Sequence, residues 1–246
     1  MDPIVVLTYA YAGADLLGSL LAANPELALT SGTGVLPLCE QAAITWRRAE
    51  GRDGPPSALA LTSMRALTGS VITLLLAREG KPRWCEIATA QPGYAESFLR
   101  AYPGTRFLCL HRNCVDVIRL ALRANPWGLA DPEFGPFADA FPGYSAAALA
   151  AYWVAHTKPM LEFEAAHPGA CRRVRYEDLN PLPGSLPADL AAFLGLHQQP
   201  TATPDRGDQH PGQGPGTAEV PFGQLPLPLM SEVEDLLATL SYPPAS

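Results

Sequence analysis

The first 23 residues constrain the fold of this chain more than any other stretch. Residues 4–7, IVVL, form a short apolar run rich in β-branched side chains, which is typical of a strand buried on both faces. A loop with one glycine follows, and in residues 14–23 the leucines recur at helical spacing. A strand, a tight loop and a helix form the frame of a phosphate-binding loop, because the first backbone N–H groups of the helix point unpaired into the loop.

Strand and helix patterns alternate along the rest of the chain. Further strands are predicted at residues 27–29, 83–87, 106–110 and 171–174. Helices are predicted at residues 38–48, 58–77, 92–102, 114–124, 145–166, 185–194 and 231–240. Ser231 is the expected N-cap of the last helix. This alternation predicts an α/β fold of three layers, with a mostly parallel sheet flanked by helices.

Two segments lack such patterns. Residues 125–144 are rich in Pro, Gly and Phe and are interpreted as a long loop or lid, and residues 200–230 as an irregular segment. Because ligands bind at the carboxyl ends of parallel strands, residues 9–15, 30–34, 86–89 and 111–112 are expected around one crevice.

Length, net charge and cysteine content limit the classes of protein to which this chain can belong. A length of 246 residues and an apolar share of 48% fit one globular domain, residues 1–246. A net charge of −7 without a basic tract argues against nucleic acid and membranes as partners. No signal peptide is recognised, and the longest apolar run, residues 71–77, is too short to cross a bilayer. Five scattered cysteines indicate buried thiols, so we expect a cytoplasmic protein.

Three segments in order resemble the sulfotransferase family that uses 3′-phosphoadenosine-5′-phosphosulfate (PAPS). They are residues 4–21, residues 105–125 (TRFLCLHRNCVDVIRLALRAN) and residues 174–196, which begin with VRYEDL. Weaker similarities lie at residues 31–37 and 83–90 and in the ending LLATLSYPP. The resemblance implies a single sulfotransferase-like domain of the P-loop type. It also implies that Glu177 and Asp178 fix the loop after their strand.

The loop departs from the family pattern. There a Lys or Arg precedes Ser-Gly-Thr-Thr/Ser, whereas the matching residues here are Tyr11, Ala12, Gly13, Ala14 and Asp15. The cation has become a phenol, and the two hydroxyls that would hold the 5′-phosphate have become a methyl group and a carboxylate. A carboxylate suits the first turn of a helix but repels a phosphate there.

Other positions of the family pattern have also lost a cation, a hydroxyl donor or the catalytic base. The catalytic Glu is replaced by Ser31-Gly32, a Lys by Ile87, a Ser by Leu120 and a late Lys by Glu219, while the 3′-phosphate Arg is kept as Arg112. Each lost charge-assisted contact costs roughly 1.5–3 kcal/mol. We therefore expect no cofactor, with PAPS or its product 3′-phosphoadenosine 5′-phosphate (PAP) as the alternative.

The candidate site residues follow from this crevice. The candidate acid–base residues are Asp15, Tyr9, Tyr11, Glu86 and His111. The candidate substrate- or anion-binding residues are Arg112, Gly13, Thr33, Arg123 and Trp127. Several have a structural alternative: Asp15 as an ordinary helix-start residue, the tyrosines as packing on the sheet end, and His111-Arg112 as a structural hydrogen-bonding pair. The sequence leaves open whether Glu86 is solvated or faces inward. No metal-ligand spacing is present.

Three functions remain open. The first is a repurposed sulfotransferase-fold enzyme of bacterial specialised metabolism. It would catalyse a cyclisation, rearrangement or elimination of a small apolar, polyketide-like substrate without a sulfuryl donor. The second is a PAPS-dependent sulfotransferase acting on a hydroxyl of a small molecule. The third is a non-catalytic ligand-binding protein. In each case the partner is a small molecule, and an oligomer is left open.

Overall fold

A parallel sheet of five strands forms the centre of the molecule. The computed structural model describes residues 2–51, 54–89, 91–125, 133–179, 186–197 and 225–243. The strands are β1 (Ile4–Thr8), β2 (Leu27–Ser31), β3 (Arg83–Thr89), β4 (Arg106–His111) and β5 (Cys171–Arg175). Their spatial order is β2-β3-β1-β4-β5, and every pair of neighbours is parallel. The α/β prediction is confirmed.

Helices connect these strands. They are α1 (Ala14–Ala22), α2 (Val35–Glu50), α3 (Ala58–Glu79), α4 (Pro92–Ala101), α5 (Cys114–Ala124), α6 (Gly135–Ala140), α7 (Ser145–Ala166), α8 (Tyr176–Leu179), α9 (Ala188–Leu194) and α10 (Leu227–Thr239). The sequence placed most of these within a few residues of their observed ends, since long amphipathic segments carry the clearest periodicity.

The strand register separates the two faces of the sheet. Val5 pairs with both Glu86 and Phe107, so these three side chains share one face. On that face the Phe107 ring meets the edge of Phe163 in α7, with ring centroids 5.0 Å apart. On the opposite face, a side chain on Gly18 of α1 would approach Ile87 within 3.0 Å. The sheet is thus covered by helices on both faces, as the three-layer prediction requires.

The chain changes direction between β1 and β4. After β1 it runs to β2 and β3 on one side, and after β4 it runs to β5 on the other. The loops that follow β1 and β4 therefore part at this point and leave a crevice between them, which is where ligands bind in open parallel sheets.

Three local predictions are wrong. Ser231 does not cap the last helix, because α10 begins at Leu227 after Pro226 and contains Ser231. Proline fits the start of a helix, where the missing N–H costs nothing. The segment 200–230 accordingly becomes helical at its end, and residues 200–224 lie outside the described residues. The segment 125–144 is not one loop either, because it contains α6.

Helix α3 is longer and more apolar than the run at residues 71–77 suggested. By length and composition it is the one helix in the described residues that qualifies as a membrane span, which alone is weak evidence. It packs against α2, α4 and β3. The helix therefore contributes one side to the core of the protein and leaves the other side outward.

Candidate active site

The loop between β1 and α1 has an unusual backbone conformation. Ala12 N–H donates to the carbonyl of Tyr9 at 3.2 Å, which closes a tight turn. Tyr11 has a φ of 64°, in the left-handed region that side chains other than glycine rarely adopt, and Gly13, the N-cap of α1, has a φ of 93°. These two residues turn the chain directly from the strand into the helix.

The Arg112 backbone anchors this loop to the end of β4. The amide of Arg112 donates to the Tyr9 hydroxyl at 3.1 Å, and that hydroxyl lies 3.3 Å from the Arg112 carbonyl. Trp153 of α7 donates to the same carbonyl at 2.9 Å. Burial raises the pKa of the Tyr9 phenol, although the hydrogen bond with Arg112 works against this. Tyr9 is therefore a neutral group that joins two loops.

The Arg112 side chain crosses the mouth of the crevice. Its Nη1 donates to the Tyr11 carbonyl at 3.3 Å, and its Cζ lies 3.9 Å from the centroid of the Tyr176 ring, a cation–π contact. The same ring packs so closely on Gly13 that a Cβ there would overlap it. The Arg112 Nε is buried without a hydrogen-bond partner in the described part of the chain. A guanidinium and an aromatic ring thus cover the loop together.

Aromatic side chains form a wall beside Tyr11. Its hydroxyl accepts a hydrogen bond from the Asn125 amide at 2.6 Å, and its ring stacks on Phe134 at a centroid distance of 6.2 Å. Tyr152 of α7 accepts from Ala10 N–H at 3.0 Å and packs on Phe134 at 4.7 Å. Tyr11 is therefore part of an aromatic cluster.

Glu86 and Thr33 form a separate structural contact. Glu86 lies inside β3 and is buried, and Thr30 Oγ1 donates to its carboxylate. Thr33 donates to the other carboxylate oxygen through its N–H at 2.8 Å and its hydroxyl at 2.9 Å. The Glu86 carboxylate therefore points into the protein and not to solvent. This carboxylate holds the loop between β2 and α2.

His111 and Arg112 have different surroundings, since His111 is the last residue of β4 and Arg112 follows the strand. His111 Nε2 lies 2.6 Å from Glu164 Oε1 in α7, and Arg173 donates to the other Glu164 oxygen at 2.8 Å. The His111 side chain is fully buried. It therefore contacts α7, whereas the Arg112 side chain lies at the loop after β1.

Burial lowers the pKa of His111, although Glu164 works against this. Between that lowered pKa and the unfolded value of about 6.5, the unfolded chain binds more protons than the folded chain. We therefore expect this contribution to stability to be complete above about pH 6.5 and to diminish as the pH falls below it. Urea unfolding at pH 7.5, 6.5 and 5.5 should show that the free energy of unfolding falls more steeply with decreasing pH for the wild type than for His111→Gln. Equal pH slopes would contradict this.

The remaining candidates are placed as follows. Asp15 lies exposed in the first turn of α1, as predicted, and Arg123 lies in the last turn of α5, two residues before Asn125. Trp127 lies outside the described residues. The site that the structure brings together contains Tyr9, Tyr11, Gly13 and Arg112. No group of three or more metal-binding side chains is found in the described ranges.

The sequence analysis missed the role of the residue that follows β5. Tyr176 belongs to the RYEDL segment, but only the parallel pairing of β4 and β5 brings it to Arg112. Its neighbour Glu177 accepts from Asn113 N–H at 2.9 Å and from the Tyr242 hydroxyl at 2.7 Å, while Asp178 pairs with Arg175 at 2.7 Å. Glu177 and Asp178 therefore stabilise the segment after β5, as expected.

Known proteins match this chain at the level of family and fold. Residues 3–200 match a family model described as the sulfotransferase family. The sulfotransferase domain of the Synechococcus PCC 7002 olefin synthase has a TM-score of 0.59 at 16% identity, with 99% of this chain and 95% of that chain covered. A sulfotransferase from Alicyclobacillus acidocaldarius has a TM-score of 0.58 at 16% identity, covering 99% and 97%. The comparison with curated proteins gives no significant match. The family model covers most of the chain, and the chain therefore belongs to the sulfotransferase family.

Proposed function

We propose that this chain is an enzyme that has kept the sulfotransferase fold but works without a sulfuryl donor. Its substrate would be a small, mostly apolar molecule bound against the aromatic wall at the carboxyl edge of the sheet. The reaction would be a cyclisation, rearrangement or elimination driven by proton transfer. The observation that carries this proposal is the Tyr176 ring, which lies between Gly13 and the Arg112 guanidinium at the donor loop.

The residues of the loop do not fit the 5′-phosphosulfate of PAPS. Binding of such a polyanion requires cations and hydroxyl or N–H donors directed at it. Tyr11 supplies a phenol that accepts from Asn125, Ala14 supplies a methyl group, and Asp15 supplies a negative charge. Neither lysine offers a replacement, since Lys81 donates to the Leu27 carbonyl at the other end of the sheet and Lys158 is exposed on α7.

Asp15 and Arg112 are the residues that suit proton-transfer chemistry. Glu86, His111 and Tyr9 are buried side chains, whereas Asp15 is exposed in the first turn of α1, next to the loop. In the proposed reaction Asp15 accepts a proton from the substrate and returns it at another atom. Arg112 holds the oxygen on which negative charge develops. A rearrangement of this kind is balanced without a co-reactant.

One observation favours PAPS-dependent sulfotransfer as a second candidate. Arg112 is the position that holds the 3′-phosphate in the family, and its Nε has no partner among the described residues. An anion at this point would satisfy it. The similar structure from Synechococcus is a sulfotransferase domain within an olefin synthase.

Titration with PAP tests the proposal. We expect neither heat in isothermal titration nor a rise in the melting temperature at millimolar PAP and low salt, for the wild type and for Arg112→Ala alike. Arg48→Ala, which removes an exposed guanidinium of α2, is the matched control for charge. Micromolar binding that Arg112→Ala abolishes and Arg48→Ala keeps would overturn the donor-free proposal and establish the second candidate.

A further inference from the structure

The outward face of α3 carries no charged side chain from Leu59 to Ala77. Leu59, Leu67 and Leu74 are exposed to 59%, 48% and 71%. Arg65 is the one charged residue in this range; it is exposed on the side of the helix next to α4, where its Nε donates to the Ala101 carbonyl at 2.6 Å. A continuous apolar surface five turns long is uncommon on a single chain and indicates an interaction surface. We call the outward-facing residues between positions 59 and 77 of α3 the α3 face.

Three hydroxyl groups on the α3 face already have an acceptor within the helix. Thr62, Ser70 and Thr73 donate to the carbonyls four residues earlier in the helix, at 2.8, 2.8 and 2.7 Å. Their oxygens are therefore directed along the helix backbone, and their carbon atoms cover more of the surface than their type suggests. Burying this face would leave these three hydroxyl donors paired.

We propose that the α3 face is the dimer interface of this protein, where α3 packs antiparallel against α3 of a second copy. Small residues at positions 66, 70, 73 and 77 recur every three or four residues on the outward side, so two helix backbones can approach closely along that seam. A two-fold axis near residue 68 places Ala66 of each copy against Ser70 of the other, and Ala77 against Leu59. Leu67 and Leu74 of both copies then meet along one side of the seam.

The charges at the two ends of α3 complement each other in this arrangement. Arg78 in the last turn has a side chain exposed to 65% and pairs with its neighbour Glu79 at 2.8 Å. Glu50, the last residue of α2, lies at the start of α3, since Ser57 donates to its carboxylate. An antiparallel pair brings Arg78 of each copy to the end that carries Glu50 of the other. The helix dipoles also oppose one another, which a parallel pair would not achieve.

A lipid surface fits the α3 face less well than a second copy. Helices that lie in a membrane interface combine Trp or Phe on the apolar side with many Lys or Arg on the polar side. Helix α3 contains no aromatic residue and no lysine, and the chain carries a net charge of −7. Because its apolar surface alternates leucines with small residues, it suits packing against another helix.

Sedimentation velocity tests the dimer directly. We expect the wild type at tens of micromolar to sediment with twice the chain mass of 26.2 kDa, and Leu67→Glu to sediment as a monomer with an unchanged circular dichroism spectrum. Leu227→Glu, at an exposed leucine of α10, is the matched control and should remain dimeric. A monomeric wild type, or a Leu67→Glu variant that stays dimeric, would overturn the proposal.

Cross-linking tests the antiparallel geometry. All five native cysteines are buried, so an introduced surface thiol is the reactive one. A short bismaleimide should link Ser70→Cys, near the proposed axis, into dimers. Leu59→Cys, far from the axis, should link to Ala77→Cys in a mixed sample but not to itself. Self-linking of Leu59→Cys would mean parallel helices. Flotation of the wild type with uncharged phosphatidylcholine vesicles that Leu67→Glu loses would mean a membrane surface; either result contradicts the proposal.

Discussion

Replacing Gly13 by alanine should lower the free energy of unfolding by about 2–4 kcal/mol, the sum of a left-handed backbone and an overpacked contact. The φ of 93° at Gly13 disfavours any residue with a Cβ. The added methyl group would also overlap the Tyr176 ring, which cannot simply rotate away because Arg112 packs on it. Denaturant unfolding of the purified variant measures the loss.

Gly32→Ala is the matched control for this substitution. Gly32 has a similar left-handed φ of 64°, but a Cβ there meets nothing within 4 Å. It should therefore show the backbone cost alone, about 1–2 kcal/mol. If the two variants lose equal stability, the contact between Gly13 and Tyr176 is too loose to close the loop.

A second substitution separates the contact from the backbone effect. Tyr176→Ala removes the ring that the new methyl group would strike, so Gly13→Ala should cost less in the Tyr176→Ala background than in the wild type. The difference is the energy of the clash. Its size measures how tightly the Tyr176 ring closes the loop that holds phosphate in the sulfotransferase family.

The sequence predicted the loop itself well and its surroundings poorly. Residues 4–23 contain both the strand and the helix, so their periodicity reveals the frame without knowledge of the fold. The neighbours of the loop come from distant segments: Arg112 from the end of β4 and Tyr176 from the end of β5. Which strands are neighbours depends on the order β2-β3-β1-β4-β5, and no local pattern encodes that order.

The sequence also did not reveal to which face of the sheet each strand residue projects. Glu86 and His111 were candidates because they lie near strand ends, but both side chains project to the face under α4 and α7 and not into the crevice. A shift of one residue along a strand reverses the face, and a strand buried on both sides gives no alternation from which to read it. Asp15 could be placed because a helical period fixes its position in the first turn.

Replacing Glu164 by leucine should lower the free energy of unfolding by about 1–3 kcal/mol, the usual cost of leaving a buried hydrogen-bonding group without its partner. Glu164 accepts from two groups, the His111 ring at 2.6 Å and Arg173 at 2.8 Å. Arg173 is exposed to 39% and can turn to water, so the larger part of the loss comes from His111, which is fully buried and would have no acceptor. Glu164→Gln should lose less, because its amide oxygen still accepts.

Glu162→Leu is the matched control, since Glu162 lies exposed on the same helix and should change stability by less than about 0.5 kcal/mol. A double variant gives the stricter test. Replacing both partners by apolar residues leaves no buried polar group unpaired, so His111→Leu with Glu164→Leu should cost less than the sum of the two single substitutions. Simple additivity would mean that the two side chains do not depend on each other. His111 would then have to be considered again as a residue free for chemistry.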